Sequence, residues 1–305
     1  MTTPNIFHKK NKYAEEKLGE EVVVQSKSYW QDSFKRLMKN KVAVFCGILI
    51  LLIAAVAITA PLISPYDPNL QELSIKLQGP SAEHLLGTDE YGRDILSRII
   101  YGTQVSLAAG IVSQLMAIVI GVTLGAVAGY YGGKIDIVIS RIMEIFAAFP
   151  DLLLAMAIMF ALGTGITSLY ISLAIISWVQ TARMVRGQVM QLKEKEFVEA
   201  CIASGGSGFR IIMKHMIPNC ISTIIVLVTL GIPGAILTEA SLSFLGIGIQ
   251  PPDPSWGSMI SYAQPYIASN PLYSIFPGIA IIITVIAFNM FGDGLRDALD
   301  PKLKN

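Results

Sequence analysis

Uncharged apolar runs too long for a water-soluble core constrain this chain more than any other feature. Val42 to Ile63 is 22 residues without a charge. At about 1.5 Å rise per residue, such a run covers a hydrocarbon core of roughly 30 Å. Further runs lie at about 106–128, 142–162, 169–183, 220–238 and 274–292. Only 15% of the 305 residues are charged and 53% are hydrophobic, where a soluble domain carries about a quarter charged. These runs predict an all-α polytopic membrane protein.

Residues 152–182 hold no charge, so the third and fourth runs could also be read as one. Cytoplasmic loops carry an excess of Lys and Arg, and this arbitrates. With six transmembrane helices, the inner segments hold nine bases (1–41), two (129–141), six (181–218) and three (C-terminal). The outer segments hold three, none and none. Merging the two runs would put eleven inside and twelve outside. Six spans with both termini cytoplasmic is therefore the expectation.

The segments between and within the runs carry their own signals. Residues 1–41 are polar and basic, with no apolar stretch and cleavage site of the kind that marks a removed signal peptide. Trp30, Phe34, Leu37 and Met38 share one helical face, with bases on the other. This fits either a helix on the anionic membrane surface or a charged anchor for the first span. Residues 64–103 form an outer loop with the stretch Gly87-Thr88-Asp89-Glu90-Tyr91-Gly92-Arg93-Asp94. Asp89, Glu90 and Asp94 invite a metal reading. A glycine-turned loop whose charges pair among themselves is favoured over it. Gly121, Gly125 and Gly129 line one helix face, which allows close approach of a neighbouring helix. The connection 240–273 has no Lys or Arg. Its apolar residues and Trp256 suit a segment dipping into the outer interface, where Phe244 and Trp256 would form an outer gate or a plain anchor.

Several classes of chemistry are missing. No GxxxxGK[ST] occurs, so the chain has no P-loop with which to hydrolyse ATP. His8, His84 and His215 are scattered, and no HExxH or GxSxG is present. Cys46, Cys201 and Cys220 have no CxxC partners and read as reduced, packed thiols. Glu144, Asp151 and Glu239 are the ionisable groups within apolar runs, each near a run's end. No charge sits at mid-span, which weighs against an ion-coupled carrier. No catalytic residue, metal site or cofactor is expected, and no nucleic-acid partner.

One cytoplasmic stretch remains, the loop 185–218, longer than two neighbouring spans require. Glu199-Ala200-Cys201 ends a helical pattern, Gly205-Gly206-Ser207-Gly208 breaks it, and Pro218 stands where the next span begins. The expectation is a helix-turn-helix knob shaped for a socket on another protein. The stretch resembles the EAA motif of binding-protein-dependent ABC importer permeases. Glu199, Ala200, Gly205 and Pro218 fall at the motif's spacing. Cys201 stands for its second Ala, His215 for its Ile and Ile217 for its Leu. The GTDEYGRD stretch and the ending GDGLRDALDPK also resemble the C-type permease subunit of dipeptide, oligopeptide and nickel importers.

The resemblance implies a type-I ABC importer permease fold over residues 104–293, in a bacterial inner membrane. The first span 42–63 and the loop 64–103 would be additions of the peptide-permease branch, and 294–305 a cytoplasmic tail. It implies a homologous second permease subunit, two ATP-binding subunits that hold ATP and Mg, an extracytoplasmic solute-binding protein and surrounding lipid as partners. It implies that Glu199, Ala200, Cys201, Gly205 and Pro218 couple to the ATPases: Glu199 by contact, Gly205 by making the turn, Pro218 by setting the entry of the fifth span. The implied cargo is di- or oligopeptide, with nickel chelates, glutathione or another small solute as alternatives. A stand-alone carrier or channel is the more remote reading.

Overall fold

The computed structural model describes residues 29–300; the tail 1–28 and residues 301–305 lie outside the described residues. Among the described residues the secondary structure is helical, with an isolated Thr88–Asp94 bridge as the β pairing. The helices are α1 (Tyr29–Lys39), α2 (Lys41–Ile63), α3 (Ile95–Tyr131), α4 (Gly133–Ala147), α5 (Asp151–Leu162), α6 (Ile166–Lys193), α7 (Glu196–Ala203), α8 (Gly208–Ile211), α9 (Ile217–Phe244), α10 (Trp256–Ala263) and α11 (Leu272–Leu299).

Caps explain where the first long helices start. Asn40 accepts from the Ala43 N–H at 3.1 Å at the head of α2, and Asp94 accepts from the Ser97 N–H at 2.7 Å at the head of α3. Each satisfies a donor that the first helical turn leaves unpaired. The spanning helices α3, α6, α9 and α11 overrun the lengths expected from apolar composition, because polar turns at their ends continue the helix beyond the apolar stretch.

The run 142–162 departs from its expectation as one straight span. The helix stops at Ala147 and restarts at Asp151, and the two halves meet at 94°. Pro150 is the physical cause: it offers no N–H, and its ring disfavours helical geometry at Phe149. Asp151 then begins α5 with a carboxylate in the first turn, where the helix dipole favours it. Among the described residues, five helices are long and apolar enough to cross a membrane, or six if the bent pair counts as one span.

α3 is the central rod. Gly121, Gly125 and Gly129 lie against α6 at Trp178, Ala182 and Arg186, a four-residue step on both helices. A Cβ built on these glycines would come within 2.8 Å of the Trp178 carbonyl oxygen, 2.5 Å of that of Ala182 and 2.7 Å of that of Arg186. The backbones therefore touch, as the glycine spacing leads one to expect. α9 packs on another side of α3, and α2 and α11 close the bundle. α2 stays the most open of the spanning helices, with Phe45, Leu51, Ile58 and Leu62 outward.

Candidate functional site

The knob is built from α7, the turn 204–207, α8 and the π-helical turn Ile212–Met216 that leads into α9. Its root is apolar. Val198, Ile211 and Met216 are buried with Val122 and Ala126 of α3, Val185 and Val189 of α6, and Cys220 and Ile224 of α9. The root of the knob thus packs against three spanning helices at once.

The turn has the hydrogen bonds of a Schellman motif. The Gly206 N–H donates to the Cys201 carbonyl at 3.0 Å, and the Gly205 N–H to the Ile202 carbonyl at 3.0 Å. That closure places Gly205 at φ +77°, the left-handed region that suits glycine. Ser207 then caps α8, accepting from the Arg210 N–H at 3.4 Å. Gly208 sits against Tyr130 and Tyr131 at the end of α3: a Cβ there would lie 2.9 Å from each side chain.

The far side of the knob faces solvent. Glu199, Ala200 and Gly205 are exposed, as are Ile202 and Met213, and Phe209 is 73% exposed. Glu199 sits in the first turn of α7 and has no ion-pair partner among the described residues. This face of the knob thus carries a carboxylate and three large apolar side chains, all exposed. Two departures from the motif meet each other here: Cys201 Sγ lies 3.6 Å from His215 Nε2, bridging α7 to the π-helical turn. Pro218 is exposed in the first turn of α9. Having no N–H, it leaves the preceding turn short of a donor. The chain widens there, Ile217 N–H reaching back to the Ile212 carbonyl and Asn219 Nδ2 donating to the His215 carbonyl at 2.6 Å.

At the opposite end, the two candidate gate residues part company. Phe244 ends α9 half-exposed, its carbonyl accepting from Ser261 Oγ at 2.8 Å. Trp256 is 1% exposed, buried with Leu107, Ile232 and Ile236. Its indole N–H donates to the Ile99 carbonyl at 3.3 Å. In this conformation Trp256 is a packing wedge inside the chain, where the sequence placed it in the outer interface.

Beside it lies a group whose role the sequence did not reveal. Glu239 is 0% exposed, accepting from Ser243 Oγ at 2.7 Å and from Ser106 Oγ at 3.1 Å. Ser106 also accepts from the Trp256 N–H at 3.3 Å. The carboxylate therefore ties α3, α9 and α10 together through hydroxyls. Standing near a run's end, it could be satisfied by snorkelling or by a helix-end partner; the structure gives it Ser243, one turn along α9, and Ser106, 133 positions away.

The GTDEYGRD loop folds as a set of internally paired charges. Asp89 bonds Arg93 Nε at 2.6 Å, with Arg98 Nε at 3.6 Å. Asp94 caps α3 and meets His84 Nδ1 at 2.9 Å. Glu90 accepts from Tyr273 Oη at 2.7 Å and lies 3.3 Å from Arg93 Nη2. Burial pushes the Glu90 carboxyl above the usual carboxylate range. Each acid of the metal reading thus has a cation or donor, and among the described residues no cluster of three His, Cys, Asp or Glu suits a metal.

With this geometry in place, residues 121–305 match the model of the binding-protein-dependent transport system inner membrane component. The chain belongs to that family. Residues 28–80 match a second model, the N-terminal TM domain of oligopeptide transport permease C. The family member is 47% identical over 278 residues to the dipeptide transport system permease protein DppC of Alkalihalophilus pseudofirmus, covering 91% of each chain. It is 44% identical to the DppC of Bacillus subtilis, covering 92% of this chain and 88% of that one. The glutathione transport system permease protein GsiD of Pectobacterium atrosepticum is 44% identical, covering 93% of this chain and 95% of that one. A chain of the MetNI methionine ABC transporter, in an inward-facing conformation, superposes with a TM-score of 0.54 at 21% identity. That match covers 68% of this family member and 98% of that chain, and it establishes a shared fold. The DppC and GsiD relatives are transport system permease proteins by name.

Proposed function

We infer that this chain is the permease subunit of an ATP-binding-cassette importer for peptides in a bacterial inner membrane. One observation carries the reading: 47% identity with a dipeptide permease, spanning 91% of both chains. The glutathione relative at 44% supports a second reading of the cargo, itself a peptide, as a thiol-bearing tripeptide.

The proposed working unit is this chain with a homologous permease, two ATP-binding subunits and an extracytoplasmic solute-binding protein. ATP-driven closure of the ATPases draws the knobs together. Glu199, Ala200 and Cys201 form the contacting face, Gly205 holds the turn, and Pro218 sets how α9 enters the bundle. The motion reaches the spanning helices through Val198, Ile211 and Met216. The pair then opens outward, takes peptide from the binding protein, and releases it inside after hydrolysis. Phe244 supplies the exposed part of an outer gate, and Trp256 the buried pivot beneath it. ATP and Mg belong to the partner subunits.

The test is uptake by cells lacking this chain, complemented with it or left empty. Labelled dialanine should enter only the complemented cells. Equal entry without the chain overturns the peptide reading, and selective loss of glutathione entry moves the cargo to the tripeptide.

A further inference from the structure

The bend between α4 and α5 lies well inside the bundle. Phe146, in the last turn of α4, meets Trp178 edge to face, with 5.7 Å between ring centroids. Trp178 is twelve residues from the head of α6 and fifteen from its end, about 18 Å and 22 Å along the axis. Leu152, in the first turn of α5, packs against the cluster of Ala109, Leu169 and Leu173, nearer the head of α6. The segment 147–151 runs between these two contacts. The sequence set Asp151 near a run's end, and the fold sets it at depth.

Three acceptors are uncovered there, all within five consecutive residues. The Asp151 carboxylate is exposed and takes no hydrogen bond or ion pair among the described residues. The Ala147 and Ala148 carbonyls stand at the end of α4, where the helix dipole is negative. A continuing helix would bring them the Asp151 and Leu152 N–H groups, and the bend takes those away. The negative charge has no answer nearby. Residues 142–182 contain no Lys or Arg, and Arg141, ten residues back, is engaged with Glu144 at 2.5 Å. Lipid is a poor neighbour for such a group: a charge in hydrocarbon is costly, and non-helical backbone at membrane depth is tolerated against protein or water. A divalent metal wants about six oxygens or more, beyond what this segment offers. A primary ammonium donates three N–H bonds, one for each acceptor, and broken helices of transporters turn such carbonyl ends toward their cations. The peptide cargo carries an ammonium at its N-terminus. Phe149 and Leu153, 54% and 60% exposed on either side of the carboxylate, offer apolar contact to its side chains.

We propose that Asp151, with the Ala147 and Ala148 carbonyls, receives the N-terminal ammonium of a peptide part-way through the membrane. The proposal rests on the importer reading above, and names the end of the cargo that this chain holds in passage. The solute-binding protein sets how much cargo half-saturates uptake. A site met after hand-over governs the maximal rate and leaves that concentration where it was.

The experiment uses the assembled importer with its solute-binding protein in proteoliposomes, and labelled dialanine as probe. Asp151→Asn should lower maximal uptake by about tenfold, the scale for loss of a charge-assisted bond, with half-saturating dialanine unchanged. Asp151→Glu keeps the charge and should keep most of the rate. Asp151→Cys should lose uptake and regain it when a thiosulfonate reagent attaches a carboxylate to the new thiol. A reagent of equal length that attaches an ammonium should restore nothing. Dialanine delivered by the solute-binding protein should slow the labelling. Full uptake in Asp151→Asn, no rescue by the carboxylate, equal rescue by both reagents, or labelling that ignores dialanine overturns the site. A thiol that neither water-borne reagent reaches overturns it too, in favour of a lipid-facing or packed residue. Loss of the second permease from purified Asp151→Asn overturns it in favour of an ion pair between subunits. Wild-type uptake with Asp151→Asn unimpaired defeats the site alone, and no uptake by the wild type defeats the importer reading with it.

Discussion

Gly205 gives the sharpest test of the knob. At φ +77° it occupies a conformation that costs a residue with a Cβ about 1–2 kcal/mol. Nothing lies within 4 Å of a Cβ built there, so a replacement suffers from the backbone alone and not from a clash. A series then separates causes. Asn tolerates left-handed geometry and should retain most uptake. Ala should disfavour the turn by about 1–2 kcal/mol, a factor of roughly 5–30 against its alternatives. Val, β-branched, is worse still at positive φ and should abolish uptake. The root residues Val198, Ile211 and Met216 are untouched in all three, so the chain should reach the membrane at normal levels. The assay is labelled-peptide uptake normalised to immunoblotted membrane protein. Wild-type uptake in Gly205→Val refutes the coupling role of the turn. Equal damage by Asn and Val refutes the backbone explanation.

Glu199→Arg reverses an exposed charge in the first turn of α7. The helix dipole makes this cost about 0.3–1 kcal/mol locally, too little to unfold the bundle. Uptake should be lost while insertion is retained, and unchanged uptake removes Glu199 from the coupling face. Gly125→Ala puts a methyl 2.5 Å from the Ala182 carbonyl oxygen. It should cost about 1–3 kcal/mol, seen as a lower unfolding midpoint in detergent; an unmoved midpoint contradicts the close seam. Glu90→Gln tests the buried carboxyl of the GTDEYGRD loop. Burial raises its pKa in the folded chain, so its stabilising share is present in acid and is lost as pH rises above the ordinary 4.5 through the raised value. Thermal midpoints across that window should fall with pH in the wild type and be flatter in the variant, while parallel curves exclude Glu90 as their source.

The features legible in the sequence were those set by composition or by local backbone chemistry. The uncharged stretch from Val42 to Ile63 is α2 almost to the residue. The four-residue glycine spacing marks a close seam because backbone approach needs nothing else from the partner. Gly205 ends α7 as its lack of a Cβ allows. Features that depend on distant residues were not legible. Glu239 looked like an end-of-span acid, and only the fold brings Ser106 to it. Trp256 carries the composition of an interfacial residue, yet α3 supplies the pocket that buries it. The break at Phe149–Pro150 had its signal in plain view, but apolar content measures thickness crossed and is blind to whether the helix is continuous. Arg186 of α6 reaches Asp136 of α4 at 2.6 Å, a pairing across 50 residues that local pattern does not encode.

The seam between α3 and α6 has a mechanical consequence. Two rods in contact backbone to backbone at three successive turns have little freedom to slide or twist separately. They are built to move as one beam. Under the coupling mechanism proposed above, a push at the knob's end would reach the far end as a tilt, where Ser106 and its carboxylate neighbour hold α10. A small stroke below would then become displacement above without any helix having to bend.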